Sequence, residues 1–381
     1  MKELSARRLG TVAPYLFADL DILKARTPGD AIDFGVGDPD QPTPKPIVRA
    51  MNRALANPAN HHYPTYPGML SARIAAAEWY QRRFHVRLNP ETEVCMLLGS
   101  KEGIAHLVWA LAGPADTVAV PDPSYMIYKH QTLFAGARPL LMPLRAENDF
   151  LVDLSSVKFG PRLKLMLLNY PNNPTAAVAP RDFYAEAVRL AHRHDFYLVN
   201  DNVYSELYFG PRPASLLEIP HARERAVEFH SLSKTYNMTG WRIGFVVGNA
   251  RMIQALLKIK QNTDSGPFQA IQEAAIYALK HGDRFAEANR RLYRTRRDVL
   301  VAGLQRLGWK VRKPEATFYV WARIPRGNDS YAFTRELLRC HQILVTPGSG
   351  MGPSGEGYVR FALTVPVPRI REAIRRLGTR Q

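Results

Sequence analysis

Cysteines and long hydrophobic runs are what this sequence has least of. Of its 381 residues only two are cysteines, Cys95 and Cys340, which excludes a disulfide framework and a cysteine-based zinc site. No segment approaches the roughly 20 consecutive apolar residues of a transmembrane helix. The first residues also lack the apolar core and small-residue cleavage site of a signal peptide. We therefore expect a protein of the cytoplasm that makes no membrane contact.

Acidic residues are also scarce, because 34 Asp and Glu stand against 51 Lys and Arg, which gives a formal net charge of +17. Such an excess can indicate a nucleic-acid partner. Here the basic residues are scattered, no run of five or more like charges occurs, and no nucleic-acid-binding motif is recognisable. We interpret the charge as a basic solvated surface and expect no nucleic-acid partner. The apolar fraction of 46% is typical of a globular protein.

Histidines that could bind a metal ion lack the necessary arrangement. His61 and His62 are adjacent, and His192 and His194 are two residues apart. Neither pair has helical ligand spacing with a carboxylate partner. We expect no metal site.

Helix-like and strand-like segments alternate through the middle of the chain. Such alternation predicts an α/β fold in which a mostly parallel sheet lies between helices. In open sheets of this kind the ligand binds at the carboxyl ends of the strands. The predicted strands cover 93–98, 117–121, 163–168, 196–200, 226–230 and 243–247, and helices are predicted over 71–84, 104–112 and 181–194.

The sequence pattern changes after residue 269, where it predicts long amphipathic helices, a strand and a Gly-rich loop. This change predicts a second, smaller α+β domain. We place the boundaries at 1–45 for an N-terminal arm that joins the small domain, 46–275 for the large domain, and 276–381 for the small domain.

Lys234 is the most informative single residue. It follows a predicted strand, in HSLSKTYNMTGWRIGF (230–245), among apolar and small residues where a solvated lysine is unexpected. Burial disfavours the ammonium form and so eases loss of the proton. A neutral amine is what forms an imine with a carbonyl compound. An isolated lysine would be a surface residue, so the surrounding segment carries this interpretation.

Two more polar clusters follow predicted strands. Asp201 lies in LVNDNVYSE (198–206), and Asn173 lies in NYPNNPT (169–175). Taken singly, the first could be a helix N-cap and the second a plain turn. Because parallel strands end at one edge of the sheet, we expect both clusters to meet Lys234 in one crevice.

Together these segments resemble the class I/II, fold-type I aminotransferases that depend on pyridoxal phosphate. The likeness extends from GVGDPD (35–40) to VRFAL (359–363), and its specific part is SLSK with an arginine eight residues later, Asp-x-x-Tyr upstream and NNPT further upstream. Four further segments resemble those of the LL-diaminopimelate aminotransferase branch: HHYPTYPG, GSKEGIAH, NYPNNPTAAVA and DSGPFQAIQEAA. The resemblance implies a seven-stranded-type sheet, a smaller α+β domain and pyridoxal 5′-phosphate as cofactor.

The resemblance also implies a role for each residue around the cofactor ring. Lys234 would form the Schiff base and move the substrate proton. Asp201 would pair with the pyridine nitrogen, which keeps the ring cationic and electron-withdrawing. Tyr204 and Asn173 would contact the phenolic oxygen, and Tyr125 would stack on the ring.

The cofactor phosphate would be bound at a helix start and by side chains near Lys234. Backbone N–H groups at a helix N-terminus can hold a dianion, and an arginine offers a fork of donors. Tyr66 resembles the tyrosine that reaches the phosphate of the neighbouring subunit, which implies a homodimer. The implied phosphate ligands from the same chain are Ser100, Lys101, Glu102, Ser231, Ser233 and Arg242.

Arg360 resembles the arginine that binds the substrate α-carboxylate in these aminotransferases. It stands in a strand-like apolar segment, where without such a partner it would be an unpaired buried charge. Gly37 and Asn173 resemble further contacts to this carboxylate. Tyr15 and Lys101 are candidates for binding the distal group of the substrate.

One position departs from the pattern of the family. Ala176 follows AsnProThr, where the family often has glycine. Alanine is tolerated there unless the backbone requires a positive φ.

The leading interpretation is a ping-pong aminotransferase acting on an L-amino acid and a 2-oxo acid. Glutamate with 2-oxoglutarate is expected as one pair, and LL-diaminopimelate, alanine or aspartate supplies the other. A lyase, decarboxylase or oxidase-type reaction would use the same motifs. Aminotransferase-like domains also occur in transcription regulators, but we expect no DNA-binding module in the 65 residues that precede Tyr66.

Overall fold

The computed structural model describes residues 4–12, 15–27, 29–327 and 329–379. The helices are α1 Leu16–Ala25, α2 Lys45–Leu55, α3 Leu70–Phe84, α4 Ser100–Leu111, α5 Ile127–Phe134, α6 Arg181–His194, α7 Leu232–Thr235, α8 Ala250–Thr263, α9 Gln269–His281, α10 Asp283–Arg306, α11 Ser330–His341 and α12 Val367–Gly378. The strands are β1 Ile32–Asp33, β2 Val94–Leu97, β3 Thr117–Asp122, β4 Arg138–Pro143, β5 Leu163–Leu168, β6 Tyr197–Asp201, β7 Ala226–Ser231, β8 Gly244–Gly248, β9 Tyr319–Arg323, β10 Ile343–Leu344, β11 Thr346–Pro347 and β12 Tyr358–Ala362.

Seven strands form the central sheet, in the order β2-β8-β7-β6-β5-β3-β4. Strand β8 runs antiparallel to both of its neighbours, β2 and β7, and the remaining pairs are parallel. The predicted α/β class with a mostly parallel sheet is therefore confirmed.

Both faces of this sheet are covered by helices. In β5, Leu165 and Leu167 pack in one apolar cluster with residues of α4 and α8. Met166 and Leu168, which point the opposite way, pack in another cluster with residues of α3 and α6. Side chains alternate between the faces of a strand, so a strand buried on both sides is a continuous apolar run. This burial fixes the register that brings the polar strand ends together.

The edge strand β4 and helices α5 and α8 are elements that the sequence analysis did not predict. Strand β4 contains Pro139 and Pro143, and prolines ordinarily indicate a loop. An edge strand tolerates them because it needs partners on only one side.

A second, antiparallel sheet has the order β11-β12-β9. The N-terminal strand β1 pairs in parallel with β10, so the arm contacts the C-terminal part of the chain. The boundaries of the three regions remain a prediction. Among the described helices, none is long and apolar enough to cross a membrane.

Glu228 is a fully buried carboxylate in β7. Burial opposes its ionisation, yet His230 and two asparagines lower the pKa of this carboxyl below its ordinary value. Because Asn200 and Asn202 flank Asp201, this network also fixes the end of β6. The groups within hydrogen-bond distance of the carboxylate are Tyr80 Oη (2.9 Å), Asn200 Nδ2 (2.9 Å), Asn202 Nδ2 (2.9 Å), the Leu216 N–H (3.0 Å) and His230 Nε2 (3.0 Å).

Replacing Glu228 with alanine is expected to lower the free energy of unfolding by about 3 kcal/mol or more, because each buried donor left unpaired costs about 1–3 kcal/mol. Urea unfolding followed by circular dichroism measures this change. The control is Glu186→Ala, which removes an exposed pair with Arg189 on α6 and is expected to change little. Equal urea midpoints for the two variants would contradict this account of the network.

Candidate active site

A pocket of about 310 Å³ lies at the carboxyl ends of the central strands. This volume is at the lower end of the range for small-molecule sites, about 300–1,000 Å³. A larger cleft of about 710 Å³ lies between residues 146–180 and 310–323, but it is lined by none of the predicted site residues. The predicted residues that line the smaller pocket are Gly37, Ser100, Lys101, Tyr125, Asn173, Asp201, Tyr204, Ser231, Ser233, Lys234 and Arg242.

Lys234 lies on the short helix α7, directly after β7. Its Nζ donates a hydrogen bond to the Gly37 carbonyl at 2.8 Å and lies 5.5 Å from the centroid of the Phe318 ring. Burial lowers the pKa of Lys234 to about 8; the Asp38 carboxylate opposes this shift, and the Arg242 charge adds to it. Near physiological pH more of this amine is therefore neutral than of an exposed lysine.

Asp201 ends β6 and is 4% exposed. Its Oδ2 accepts a hydrogen bond of 2.6 Å from the Tyr128 hydroxyl. Its Oδ1 is buried and has no hydrogen-bond partner among the described residues. Burial raises the pKa of Asp201 to about 7; the Tyr128 hydroxyl and the nearby Val203 N–H oppose the rise. This carboxylate has one oxygen fixed and the other left for a ligand.

Gly37 and Tyr204 meet at the Tyr319 hydroxyl. The hydroxyls of Tyr204 and Tyr319 are 3.0 Å apart. A Cβ on Gly37 would lie 2.1 Å from the Tyr319 oxygen, so only glycine fits at position 37. Because glycine is small, the backbone at position 37 comes close enough for its carbonyl to accept the hydrogen bond from the Lys234 amine.

Arg360 is 1% exposed in β12, and all of its bonds go to neutral acceptors. Nη1 donates to Asn173 Oδ1 at 2.7 Å. Nη2 donates to the Gly35 carbonyl at 2.7 Å and to Thr346 Oγ1 at 3.2 Å. Its Nε has no partner within the described part of the chain, and no salt bridge joins it to a described carboxylate. Such a buried cation is suited to bind an anionic ligand.

The start of α4 and Arg242 form another positive part of the pocket. Gly99 precedes α4 with φ +85°, and a Cβ there would lie 2.4 Å from a guanidinium nitrogen of Arg242. The absence of a side chain at this position lets Arg242 lie against the helix start. Nη1 of Arg242 donates to the Thr239 carbonyl at 2.8 Å. Backbone N–H groups and a guanidinium together suit a phosphate.

Four predicted residues do not line the pocket: Glu102, Tyr66, Tyr15 and Arg360, the last of which reaches it through Asn173. The Glu102 side chain accepts from the Leu98 N–H at 3.1 Å, beside the helix start. Tyr66 and Tyr15 are 43% and 38% exposed.

The position of Lys101, which does line the pocket, is close to Tyr15. Its ammonium lies 4.8 Å from the centroid of the Tyr15 ring. Both residues are therefore near the pocket mouth, where a distal substrate group would lie. Their role there stays a prediction.

Ala176 adopts φ +62°, the left-handed conformation that the sequence analysis named as unfavourable for alanine. Its N–H donates to the Asn172 carbonyl at 3.0 Å. The departure from the glycine pattern therefore places a non-glycine residue in a strained backbone region.

Sequence reasoning missed Tyr128 and Tyr319. Tyr128 lies in the first turn of α5, and its partner Asp201 is 73 residues further along the chain. Tyr319 is 115 residues from its partner Tyr204, and no local pattern marks such a contact.

Glu102, His106 and Asp264 offer potential metal ligand atoms within 4.8 Å of one another. The Lys260 ammonium already lies 2.8 Å from Asp264 Oδ1 and 3.2 Å from Glu102 Oε1. A positive charge is thus present beside both carboxylates. The expectation that the protein has no metal site stays a prediction.

Comparison with known proteins decides the family. The family model "Aminotransferase class I and II" matches residues 29–377. An LL-diaminopimelate aminotransferase of Nitratidesulfovibrio vulgaris is 49% identical over 380 residues, covering 98% of both chains. The chain belongs to the class I and II aminotransferases. It is a pyridoxal-phosphate-dependent aminotransferase that moves an amino group between an amino acid and a 2-oxo acid.

Solved structures of aminotransferases and their relatives share this fold. Substrate-bound BacF from Bacillus subtilis has a TM-score of 0.95 and 37% identity, with 100% of each chain covered. A probable N-succinyldiaminopimelate aminotransferase from Thermus thermophilus has a TM-score of 0.90 and 35% identity, covering 95% of this chain and 99% of that one. The fold-type I architecture expected for an aminotransferase is confirmed.

The pocket of this aminotransferase fits pyridoxal phosphate. The cofactor has a basic ring nitrogen, a phosphate and an aldehyde. The free Oδ1 of Asp201, the positive region at Arg242 and the Lys234 amine are complementary to these three groups. The observation that decides the fit is the buried oxygen of Asp201, which needs a donor.

The lowered pKa predicts the titration of Lys234 in cofactor-free protein. Raising the pH through about 8 should neutralise its amine, whereas exposed lysines titrate near about 10.4. Nuclear magnetic resonance of ¹³C-methylated lysines measures each midpoint, and the Lys234→Arg spectrum assigns the signal. A Lys234 midpoint that coincides with those of the exposed lysines would show that the pocket does not desolvate this amine.

Proposed function

We propose that this aminotransferase acts on LL-diaminopimelate, with 2-oxoglutarate as acceptor, in the cytoplasm. The proposed substrate rests on the 49% identity to relatives named LL-diaminopimelate aminotransferase. Lys101 near the pocket mouth supports the proposal, because its ammonium can pair with a second carboxylate of a diacid.

Arg360 would bind the substrate α-carboxylate. Its guanidinium is held by Asn173 and the Gly35 carbonyl, so its orientation is set before a substrate enters. A bidentate pair with a carboxylate would supply the counter-charge that the described residues do not provide. This contact would place the substrate Cα near Lys234.

Lys234 Nζ would accept the proton that leaves the substrate Cα. Its neutral amine can accept a proton, and the Gly37 carbonyl orients it through the bond of 2.8 Å. When bound, the cofactor supplies an electron-withdrawing ring that stabilises negative charge at the substrate Cα. Asp201 Oδ1 would hold a proton on the ring nitrogen, with Tyr128 fixing the other carboxylate oxygen.

The remaining predicted residues would hold the cofactor. Tyr204 and Asn173 would donate to its phenolic oxygen, and Tyr125 would lie against its ring. The start of α4 with Arg242 would bind its phosphate. The serines Ser231 and Ser233 border the same region of the pocket.

The exposed Tyr66 would act in a neighbouring subunit, which makes the enzyme a homodimer. Tyr66 is 43% exposed and does not line the pocket of its own chain. Tyr66 lies in a turn in which the Thr65 hydroxyl donates a hydrogen bond of 2.8 Å to the Gly68 carbonyl. A second copy of the chain would bury this side chain beside its own phosphate region.

A donor screen tests the proposed substrate. With 2-oxoglutarate fixed, glutamate formation should show the highest kcat/KM for LL-diaminopimelate, and Lys101→Met should raise the KM for this donor more than the KM for alanine. Lys234→Ala should lower turnover by about 10²–10⁴-fold for every donor. The exposed Lys258→Ala on α8 is the control and should keep full activity. A higher kcat/KM with alanine or aspartate would refute the proposed donor while keeping the reaction class.

Hybrid dimers test the placement of Tyr66. In a heterodimer of a Lys234→Ala subunit with a Tyr66→Phe subunit, the one intact lysine would receive Tyr66 from its partner. We therefore expect near-normal cofactor affinity at that site, measured by cofactor dissociation during dialysis. The Tyr66→Phe homodimer should release the cofactor roughly tenfold more readily, since one hydrogen bond to a charged group is lost. A heterodimer as weak as this homodimer would place Tyr66 in its own subunit's site.

A further inference from the structure

Lys260 is a fully buried lysine that the proposed mechanism does not use. It lies on α8 and is 0% exposed. Its Nζ is 2.8 Å from Asp264 Oδ1 and 3.2 Å from Glu102 Oε1. Burial opposes its charge, but the two carboxylates raise the pKa of Lys260 above its ordinary value. A buried ammonium persists only where such partners fix it, so this side chain holds a defined position.

Glu102, the first partner of Lys260, contacts the backbone beside the phosphate region. The other oxygen of Glu102, Oε2, accepts the Leu98 N–H at 3.1 Å. Leu98 directly precedes Gly99 and Ser100, where α4 begins and the pocket is positive. Glu102 therefore connects the buried ammonium to the backbone that leads into the helix start.

Asp264, the second partner of Lys260, contacts a loop that lies beside the turn containing Tyr66. Asp264 Oδ1 also accepts the Gly266 N–H at 2.7 Å. Gly266 has φ +84°, and a Cβ there would lie 3.5 Å from the backbone oxygens of both Thr65 and Tyr66. The loop that Asp264 holds is thus packed against the backbone of the tyrosine.

The ring of His106 completes the cluster of Glu102, Lys260 and Asp264. Its Nδ1 lies 2.6 Å from Glu102 Oε1 and 3.7 Å from Asp264 Oδ2, and its Nε2 lies 3.2 Å from Thr263 Oγ1. Two carboxylates surround one ammonium, so the four groups act as one electrostatic unit. Removal of the ammonium would leave two half-buried carboxylates that repel each other.

We propose that Lys260 is a positioning residue for cofactor phosphate binding, which holds the start of α4 and the Tyr66 turn in a fixed relation. One buried ion would then serve the pocket of its own chain through Ser100 and the pocket of a second copy through Tyr66. The part that concerns Tyr66 rests on the proposed dimer, and the part that concerns α4 does not.

Lys260→Met tests this role because methionine keeps much of the side-chain length without the charge. In the purified holoenzyme we expect a roughly tenfold weaker affinity for pyridoxal phosphate, since the charged hydrogen bonds from Lys260 to Glu102 and Asp264 are lost. Equilibrium dialysis at several cofactor concentrations measures the Kd.

The control is Arg297→Met. This buried arginine pairs with Asp298 and donates to the Pro314 carbonyl, and none of these residues lines the pocket. It should lower thermal stability without changing the cofactor Kd. A folded Lys260→Met enzyme with the wild-type Kd would overturn the proposal, as would an Arg297→Met enzyme with the same weakening.

A double-variant cycle separates the two branches. If Lys260 acts partly through the tyrosine, Lys260→Met and Tyr66→Phe should weaken binding together by less than the product of their separate effects. A product that is fully multiplicative would remove the Tyr66 branch. If Tyr66→Phe alone leaves the Kd unchanged, the proposed dimer role of Tyr66 fails, and Lys260→Met alone still tests the α4 branch.

Glu102→Gln keeps the test decisive if Lys260→Met does not fold. Glutamine retains an acceptor for the Leu98 N–H but removes one charge from the cluster. We expect a smaller weakening in the same direction, about threefold. A folded Glu102→Gln enzyme with unchanged Kd would contradict the proposal.

Discussion

Three ionisable groups without an ion-pair partner, a carboxyl, an amine and a guanidinium, are the constraint on which the pocket depends. Asp201, Lys234 and Arg360 lie in or beside one crevice, and in the described part of the chain no ion pair joins any of them to an opposite charge. Their hydrogen bonds go to Tyr128, the Gly37 carbonyl and Asn173, respectively. Ionisable groups that lack partners in a water-poor site are costly, so the site is completed by ligands with complementary groups. A cationic ring, an aldehyde and a carboxylate meet these three needs.

The scaffold fixes these charges by long-range contacts. Glu228 receives donors from both sides of Asp201, and this network orients the end of β6. The glycine at position 37 lets the N-terminal segment approach Lys234 closely. The strained Ala176 lies three residues beyond Asn173, where the chain turns out of the pocket. Each polar group is therefore placed by residues far from it in sequence, which keeps the site rigid before a ligand arrives.

Much of the fold and the core of the site could be predicted from the sequence. Strand β5 and helix α6 have the predicted bounds, since their apolar patterns are clear. The edge strand β4 was missed because its prolines indicate a loop. Lys234, Asp201 and Asn173 were found because each follows a strand within a recognisable motif. Tyr128 and Tyr319 were missed because their partners are 73 and 115 residues away, and Lys260 because nothing in its local segment distinguishes a buried lysine from an exposed one.

The protonation state of the cofactor's ring nitrogen tests the central claim most directly. Holoenzyme reconstituted with ¹⁵N-labelled pyridoxal phosphate can be measured by nuclear magnetic resonance at neutral pH. The account predicts a protonated nitrogen, because Asp201 offers its unpartnered oxygen in a buried place, and an unprotonated nitrogen in Asp201→Asn. An unprotonated nitrogen in the wild-type enzyme would contradict it.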